Sequence, residues 1–265
     1  SGQASYHMTL DEFKTVLSKM PRTLTQVAFG ITGLHSNPDF FKMMEHCRSV
    51  GVIPNFTMKG LDTLRAGDED RIAKLCGAVA VSWAAETARV YNNISILTKA
   101  FSRKTVNMHF MLASETFNLA IKTVNDIATD PRLKNLNAIV FLQYKDKGTG
   151  KGHFHSVESV AMYETLIAEC ERLGVGYGFD SCSAPLFFKA MKDEKKHIFA
   201  EPCESGLFSS YINCHGDFFP CSFSEGEGEW ENGISVLNCE DFLKDAWYNP
   251  RIVAWRENLI GSSSC

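Results

Sequence analysis

AVAVSWAAETARVYNNISILTKAFSRKTVNMHFML, residues 78–112, decides how the chain is read. AVAVSWA (78–84) is almost wholly apolar and reads as a buried strand. ETARVYNNISILTKAF (86–101) reads as a helix, and TVNMHFML (105–112) as a strand again. A strand, a helix of more than ten residues and a second strand make a βαβ unit. Its two strands are then expected to be parallel, with a right-handed crossover.

The alternation continues on both sides. MTLDEFKTVLSKM (8–20) is a helix, with Thr9 as N-cap and Glu12 at capping-box spacing ahead of Phe13, Val16, Leu17 and Met20. TQVAFG (25–30) is a short strand, and PDFFKMMEHCRSVG (38–51) a helix with Pro38 near its first turn and Gly51 at its end. Next come strand 52–58, helix 68–77 and, beyond the opening stretch, a helix near 115–129, strand 137–145, helix 156–174 and strand 175–180. Six or so such units suit a barrel or an open half-barrel. The expected fold class is α/β: a partial (β/α)6-type parallel barrel over 1–182, then a small Cys-rich loop and hairpin domain over 183–265. KDEKK (192–196) is either the linker or a solvated helix end.

Composition narrows the function classes. The chain has 265 residues, 45% hydrophobic and 22% charged, enough for a full core. A net charge of −4 with no basic stripe argues against a nucleic-acid partner. No apolar run matches a membrane span and no signal-peptide layout opens the chain, so no membrane partner and a cytoplasmic location are expected. The sequence opens at Ser1 and closes at Cys265 after GSSS, so a fragment of a longer protein is expected.

Nine cysteines fall unevenly. Cys47, Cys76 and Cys170 sit inside helical patterns as small core residues. Cys182, Cys203, Cys214, Cys221, Cys239 and Cys265 crowd into the last third. An odd count in a core-rich chain argues against a disulfide scaffold and for metal or redox chemistry. In CESGLFSSYINCHGDFFPC (203–221), Gly216 marks a turn between YIN and FFPC. A hairpin there brings its arms together, and thiolates from both arms suit zinc or an iron–sulfur cluster; spacing does not separate the two.

That motif, C-x12-G-x4-C, with PCSF and later DAWYNPRIVAWREN (245–258), resembles the SPASM-type auxiliary-cluster domain of radical SAM maturases. VAFGITGLHSNPDFFKMMEHCRSVGVIPNFTMKG (27–60) is similar to the stretch from strand two to strand three of radical SAM enzymes, FLQYKDKGTG (141–150) to their strand-six region, and FDSC (179–182) to the barrel's end. The resemblance implies that Gly30, Ile31, Thr32 and Gly33 form the turn holding the amino group of S-adenosylmethionine, although the acidic residue frequent in that turn is missing here. It implies Cys203, Cys221 and Cys265 as metal ligands, with Cys265 opening a second cysteine run. The C-x3-C-x2-C loop that binds the catalytic cluster in this family does not occur in the sequence.

Strand C-termini at one end of a parallel barrel face the chemistry. Ser82 and Gln143, with Thr32, are therefore expected to contact the cofactor. Cys214 is expected to pack, with a lesser metal ligand as its other reading, while Cys182 and Cys239 divide between structural and ligand-adjacent roles. His109 is expected to be a satisfied core histidine, with the barrel lumen as its other reading. His153 and His155 are expected in an exposed loop, and Trp83 in the core, with a place bordering the substrate as its other reading. The function implied by the resemblance is that of a radical SAM maturase. Such an enzyme carries [4Fe–4S] clusters and S-adenosylmethionine, and generates a 5′-deoxyadenosyl radical that takes hydrogen from a peptide or protein. An electron donor such as flavodoxin or ferredoxin is its partner. The alternative is a cluster-deficient or zinc-bearing barrel that binds a peptide or nucleoside.

Overall fold

A computed structural model of the chain describes residues 6–103, 105–147 and 151–261. Chain contacts divide it into two compact units. One holds residues 28–36 and 53–203; the other holds 1–27, 37–52 and 204–265. This division differs from the expected boundary after residue 182. Helices α1 (Leu10–Lys19) and α2 (Phe40–Ser49) cluster with the C-terminal segment, and residues 183–203 with the strands. Sequence separation hides such clustering, because nothing in α1 names its packing partner.

The expected alternation is present. A six-stranded sheet runs in the order β1 (Gln26–Phe29), β2 (Ile53–Met58), β3 (Val79–Ser82), β4 (Val106–Leu112), β5 (Ala138–Gln143) and β6 (Tyr177–Phe179). Every pairing from β2 to β6 is parallel, with Thr57 opposite Ala80, Ala80 opposite Asn107 and Ser82 opposite His109. Helices α3 (Asp68–Leu75), α4 (Thr87–Ala100), α5 (Phe117–Thr129) and α6 (Val160–Leu173) supply the crossovers. This is the α/β, partial (β/α)6-like arrangement read from the sequence.

Residue period decides which face of the sheet is covered. On β4, Val106, Met108, Phe110 and Leu112 are buried, while Asn107 and His109 are half-buried and Met111 is 41% exposed. The buried row continues across the strands as an aromatic ladder. Phe110 meets Phe141 edge-on at 6.3 Å, Phe141 lies 5.3 Å from Phe179, and Phe179 stacks on Tyr163 of α6 at 5.2 Å. Phe187, on a further helix α7 (Ala184–Ala190), lies 4.9 Å from Phe179. The face carrying this ladder is thus the helix-covered one, and each ring contributes about 2–3 kcal/mol by leaving water. The opposite face carries Thr57, Ala80, Ser82, Asn107, His109, Ala138, Val140 and Gly178. It is the inner face of the partial barrel.

The second unit has its own core. Val16 of α1 packs with Phe218, Phe219, Trp230, Val236, Phe242 and Ile252. The capping box of α1 is made as expected: Thr9 Oγ1 accepts the Glu12 N–H, and Glu12 Oε2 accepts the Thr9 N–H at 2.8 Å. The expected hairpin is β7 (Tyr211–Ile212) antiparallel to β8 (Asp217–Phe219), with β9 (Ile234–Ser235) beside β8. Its turn needs Gly216, whose φ of 80° a side chain rarely adopts, and the Asn213 side-chain oxygen accepts the His215 and Asp217 N–H groups inside it. Helix α8 (Pro250–Gly261) begins on proline, where a missing N–H costs nothing.

Candidate functional site

The turn after β1 and the loop after β2 meet. Asp62 Oδ2 accepts the Leu34 N–H at 3.1 Å, and its other oxygen lies 3.6 Å from where a Cβ on Gly33 would stand. Oδ1 has no partner among the described residues. Thr32 donates from its hydroxyl to Ser36 Oγ at 2.9 Å, and Ser36 Oγ donates to the Gly33 carbonyl at 2.7 Å. Nothing lies within 4 Å of a Cβ built on Gly30. The result is a turn that is internally hydrogen-bonded, open at Gly30, and supplied with one free carboxylate oxygen. Such a donor set suits an ammonium group.

Gly60 fastens this corner to β3. A Cβ there would come 2.1 Å from the Ser82 carbonyl oxygen and 2.7 Å from Val90. The Asn93 amide then donates to the carbonyls of Gly60 at 3.0 Å and Asp62 at 2.9 Å. These bonds place Asp62 and Ser82 at neighbouring strand ends.

Ser82 closes β3 on the inner face, opposite His109. His109 is buried enough that its imidazole is pushed down to about 4 by desolvation. Its Nδ1 shares a hydrogen bond of 3.3 Å with Thr57 Oγ1, reaching over the small Ala80 of the intervening strand. His109 therefore faces the lumen side and is only half satisfied, which departs from the expected satisfied core residue.

Gln143 is placed differently. Its Nε2 donates to the Val157 carbonyl at 3.0 Å, and its Oε1 accepts from Tyr163 at 2.5 Å. The amide is committed to the loop before α6 and to α6 itself, so it does not join Ser82 on the inner face. Period two explains this: Gln143 shares its face with Ile139 and Phe141.

A second polar cluster lies beyond β4 and β5. His155 Nδ1 meets Glu115 Oε1 at 2.5 Å, and the His155 N–H donates to Glu115 Oε2 at 3.0 Å. The histidine holds the Glu115 carboxyl down at about 2, and the same contact raises the His155 imidazole. Beside the pair is a cavity of about 520 Å³ lined by Ser114, Tyr144, Asp146, Phe154, Ser156 and Met162. His155 sits in an exposed loop, as expected. Trp83 packs 5.0 Å from Phe110 on the helix side.

None of the described cysteines is in a disulfide. Cys203 and Cys221 are half-buried, and the Cys221 sulfur accepts the Phe223 N–H at 3.4 Å. Cys265 lies outside the described residues. Among the described residues, no three His, Cys, Asp or Glu side chains converge as a metal site. No helix among them is long and apolar enough to cross a membrane.

Asp62 and Thr57 were missed by sequence reasoning. Both follow from β2 once its pairing is known, but LDTL (61–64) carries no motif.

Sheet order and crossovers define the class: an α/β fold built on a six-stranded, partial (β/α)6-type parallel sheet. Among solved structures, that of Streptococcus suis SuiB is similar to 94% of this chain and 61% of its own, with a TM-score of 0.68 at 11% identity. The crystal structure of SuiB bound to S-adenosylmethionine matches 94% of this chain and 60% of its own, with a TM-score of 0.66 at 11% identity. The chain thus spans about three fifths of SuiB, and at this identity the likeness concerns the fold. No protein-family model matches the chain, and no curated protein does either.

Proposed function

We propose that the chain is the partial barrel and part of the auxiliary domain of a radical SAM maturase, acting on a peptide or protein. The observation that supports this most is the likeness of fold to SuiB over 94% of the chain, together with the binding of S-adenosylmethionine by SuiB. When bound, the cofactor supplies one-electron cleavage beside its sulfonium, and through it hydrogen abstraction.

The protein's own part is to hold and orient. Gly30, Ile31, Thr32 and Gly33 form the pocket for the amino-acid end, and the free oxygen of Asp62 takes its ammonium. Ser82 faces the nucleoside. Gln143 acts at one remove, by fixing Val157 and Tyr163. The auxiliary [4Fe–4S] cluster would take Cys203, Cys221 and Cys265. The described residues do not by themselves gather three such ligands, so no step is assigned to that cluster. A peptide substrate and an electron donor such as flavodoxin or ferredoxin complete the proposal.

Two measurements test it. Calorimetric titration of the chain with S-adenosylmethionine should give one site per chain. Anaerobic reconstitution with iron and sulfide should give a brown protein with broad absorbance in the blue. A chain that takes up neither the cofactor nor iron sinks the reading.

A second reading keeps the barrel as a cluster-deficient or zinc-bearing module that binds a peptide or nucleoside. Cofactor binding together with stoichiometric zinc and no labile sulfide would select it.

A further inference from the structure

Ser82 and Trp83 are consecutive at the end of β3 but serve opposite faces of the sheet. Ser82 belongs to the inner face, while the Trp83 indole lies 5.0 Å from Phe110 on the helix-covered side. There Trp83 lines a cavity of about 210 Å³ with Ala85, with Thr87 at the start of α4, and with Leu119, Lys122 and Asp126. That exceeds the roughly 150 Å³ that admits a benzene-sized molecule, so a ring with a short chain fits. The indole Nε1–H is buried and has no hydrogen-bond partner among the described residues. A buried donor without an acceptor is costly, and native proteins seldom leave one without a reason.

The other polar groups around the cavity are mostly donors with capacity to spare. Lys122 gives one N–H to Asp126 Oδ2 at 2.7 Å, and its side chain is 64% exposed, so two N–H groups remain for a ligand. Asp126 is already committed, because the same oxygen accepts from Tyr91 at 2.8 Å. Thr87 adds a hydroxyl, and the N-cap Glu86 makes no side-chain cap, so the positive end of α4 adjoins the cavity uncapped. We propose that this cavity binds a small carboxylate with an apolar body. Trp83, Ala85 and Leu119 enclose the body, and the carboxylate accepts from Lys122 and Thr87. Nε1 of Trp83 is closed to water as the ring stands; the indole turns as the ligand enters and donates to the same carboxylate. A cation matches none of these donors, and a hydrocarbon leaves all of them without a partner. The site lies behind the sheet, on the side away from the inner-face groups assigned to the cofactor, and goes beyond that reading.

The test uses three probes on the whole chain that share a ring and differ in charge: phenylacetate, phenethylamine and toluene. In ¹H–¹⁵N spectra, phenylacetate should move the Trp83 indole N–H resonance, identified by its NOEs to the Phe110 ring, with a Kd on the order of 1 mM. K122M, a change at an exposed side chain, should weaken phenylacetate about tenfold, and W83F should weaken it by a similar factor. Phenethylamine and toluene should bind wild type at least about tenfold more weakly than phenylacetate. A Trp83 resonance unmoved by phenylacetate at roughly twenty times that Kd overturns the inference. So does equal affinity for the three probes, which marks a plain apolar crevice, or equal phenylacetate binding by K122M and wild type. Should W83F fail to fold, K122M and the wild-type spectra decide.

Discussion

Lys19 Nζ donates to the Cys239 carbonyl at 2.7 Å across 220 residues of chain. The same ammonium donates to the carbonyls of Val236 at 3.0 Å and Leu237 at 2.7 Å. One cation at the end of α1 thus satisfies three carbonyls of the segment that follows β9. Lys19→Met keeps the stem but leaves those oxygens unpaired. Urea unfolding should show a loss of about 2 kcal/mol, the scale of charged hydrogen bonds at a half-buried site. An unchanged midpoint means that water replaces the lysine at no cost.

Asp62→Asn keeps an oxygen for the Leu34 N–H and removes the charge. Stability should stay within about 0.5 kcal/mol of wild type. Affinity for S-adenosylmethionine should fall about tenfold or more, while 5′-methylthioadenosine, which has no ammonium, should bind as before. Equal losses for the two ligands would remove Asp62 from the amino-end contact.

Gly60 and Gly30 should respond oppositely to a side chain. Gly60→Ala drives a Cβ into the Ser82 carbonyl, a rigid backbone atom, and should destabilise by about 3 kcal/mol or more. Gly30→Leu meets open space, so the fold should survive with a thermal midpoint close to wild type, while S-adenosylmethionine binding drops. Binding unaffected by Gly30→Leu would place the ligand elsewhere.

His109 should make the fold acid-sensitive. Its folded pKa, about 4, lies below the unfolded value of roughly 6.5. The stability it confers is fully present above pH 6.5 and is lost as pH falls toward 4, because only the unfolded chain takes up the proton there. The loss is on the order of 3 kcal/mol. Urea midpoints measured every half pH unit should fall in that window for wild type and stay flatter for His109→Gln.

Cys203→Ser and Cys221→Ser should each lower the iron retained after anaerobic reconstitution by at least half. Cys214→Ser, at an exposed position, should leave it near wild type. Equal iron in all three variants removes the hairpin from metal binding.

The βα order was legible because period and punctuation are local. The helix caps, the short buried strands and the Gly216 turn are each decided within a dozen residues. The site was legible only in part. The Gly30–Gly33 turn and Ser82 stand at strand ends, where counting places them. Gln143 went astray because its face depends on parity within β5, and a strand's start is hard to fix to one residue.

Sequence alone determined that this chain alternates buried strands with amphipathic helices and then carries a cysteine-bearing hairpin, since those patterns depend on neighbours along the chain. Tertiary structure alone decided that Asp62 completes the glycine turn, that Thr57 holds His109, and that α1 joins the core of residues 204–265. Each of those pairings is set by strand register or helix packing, which bring together groups that no local signal connects.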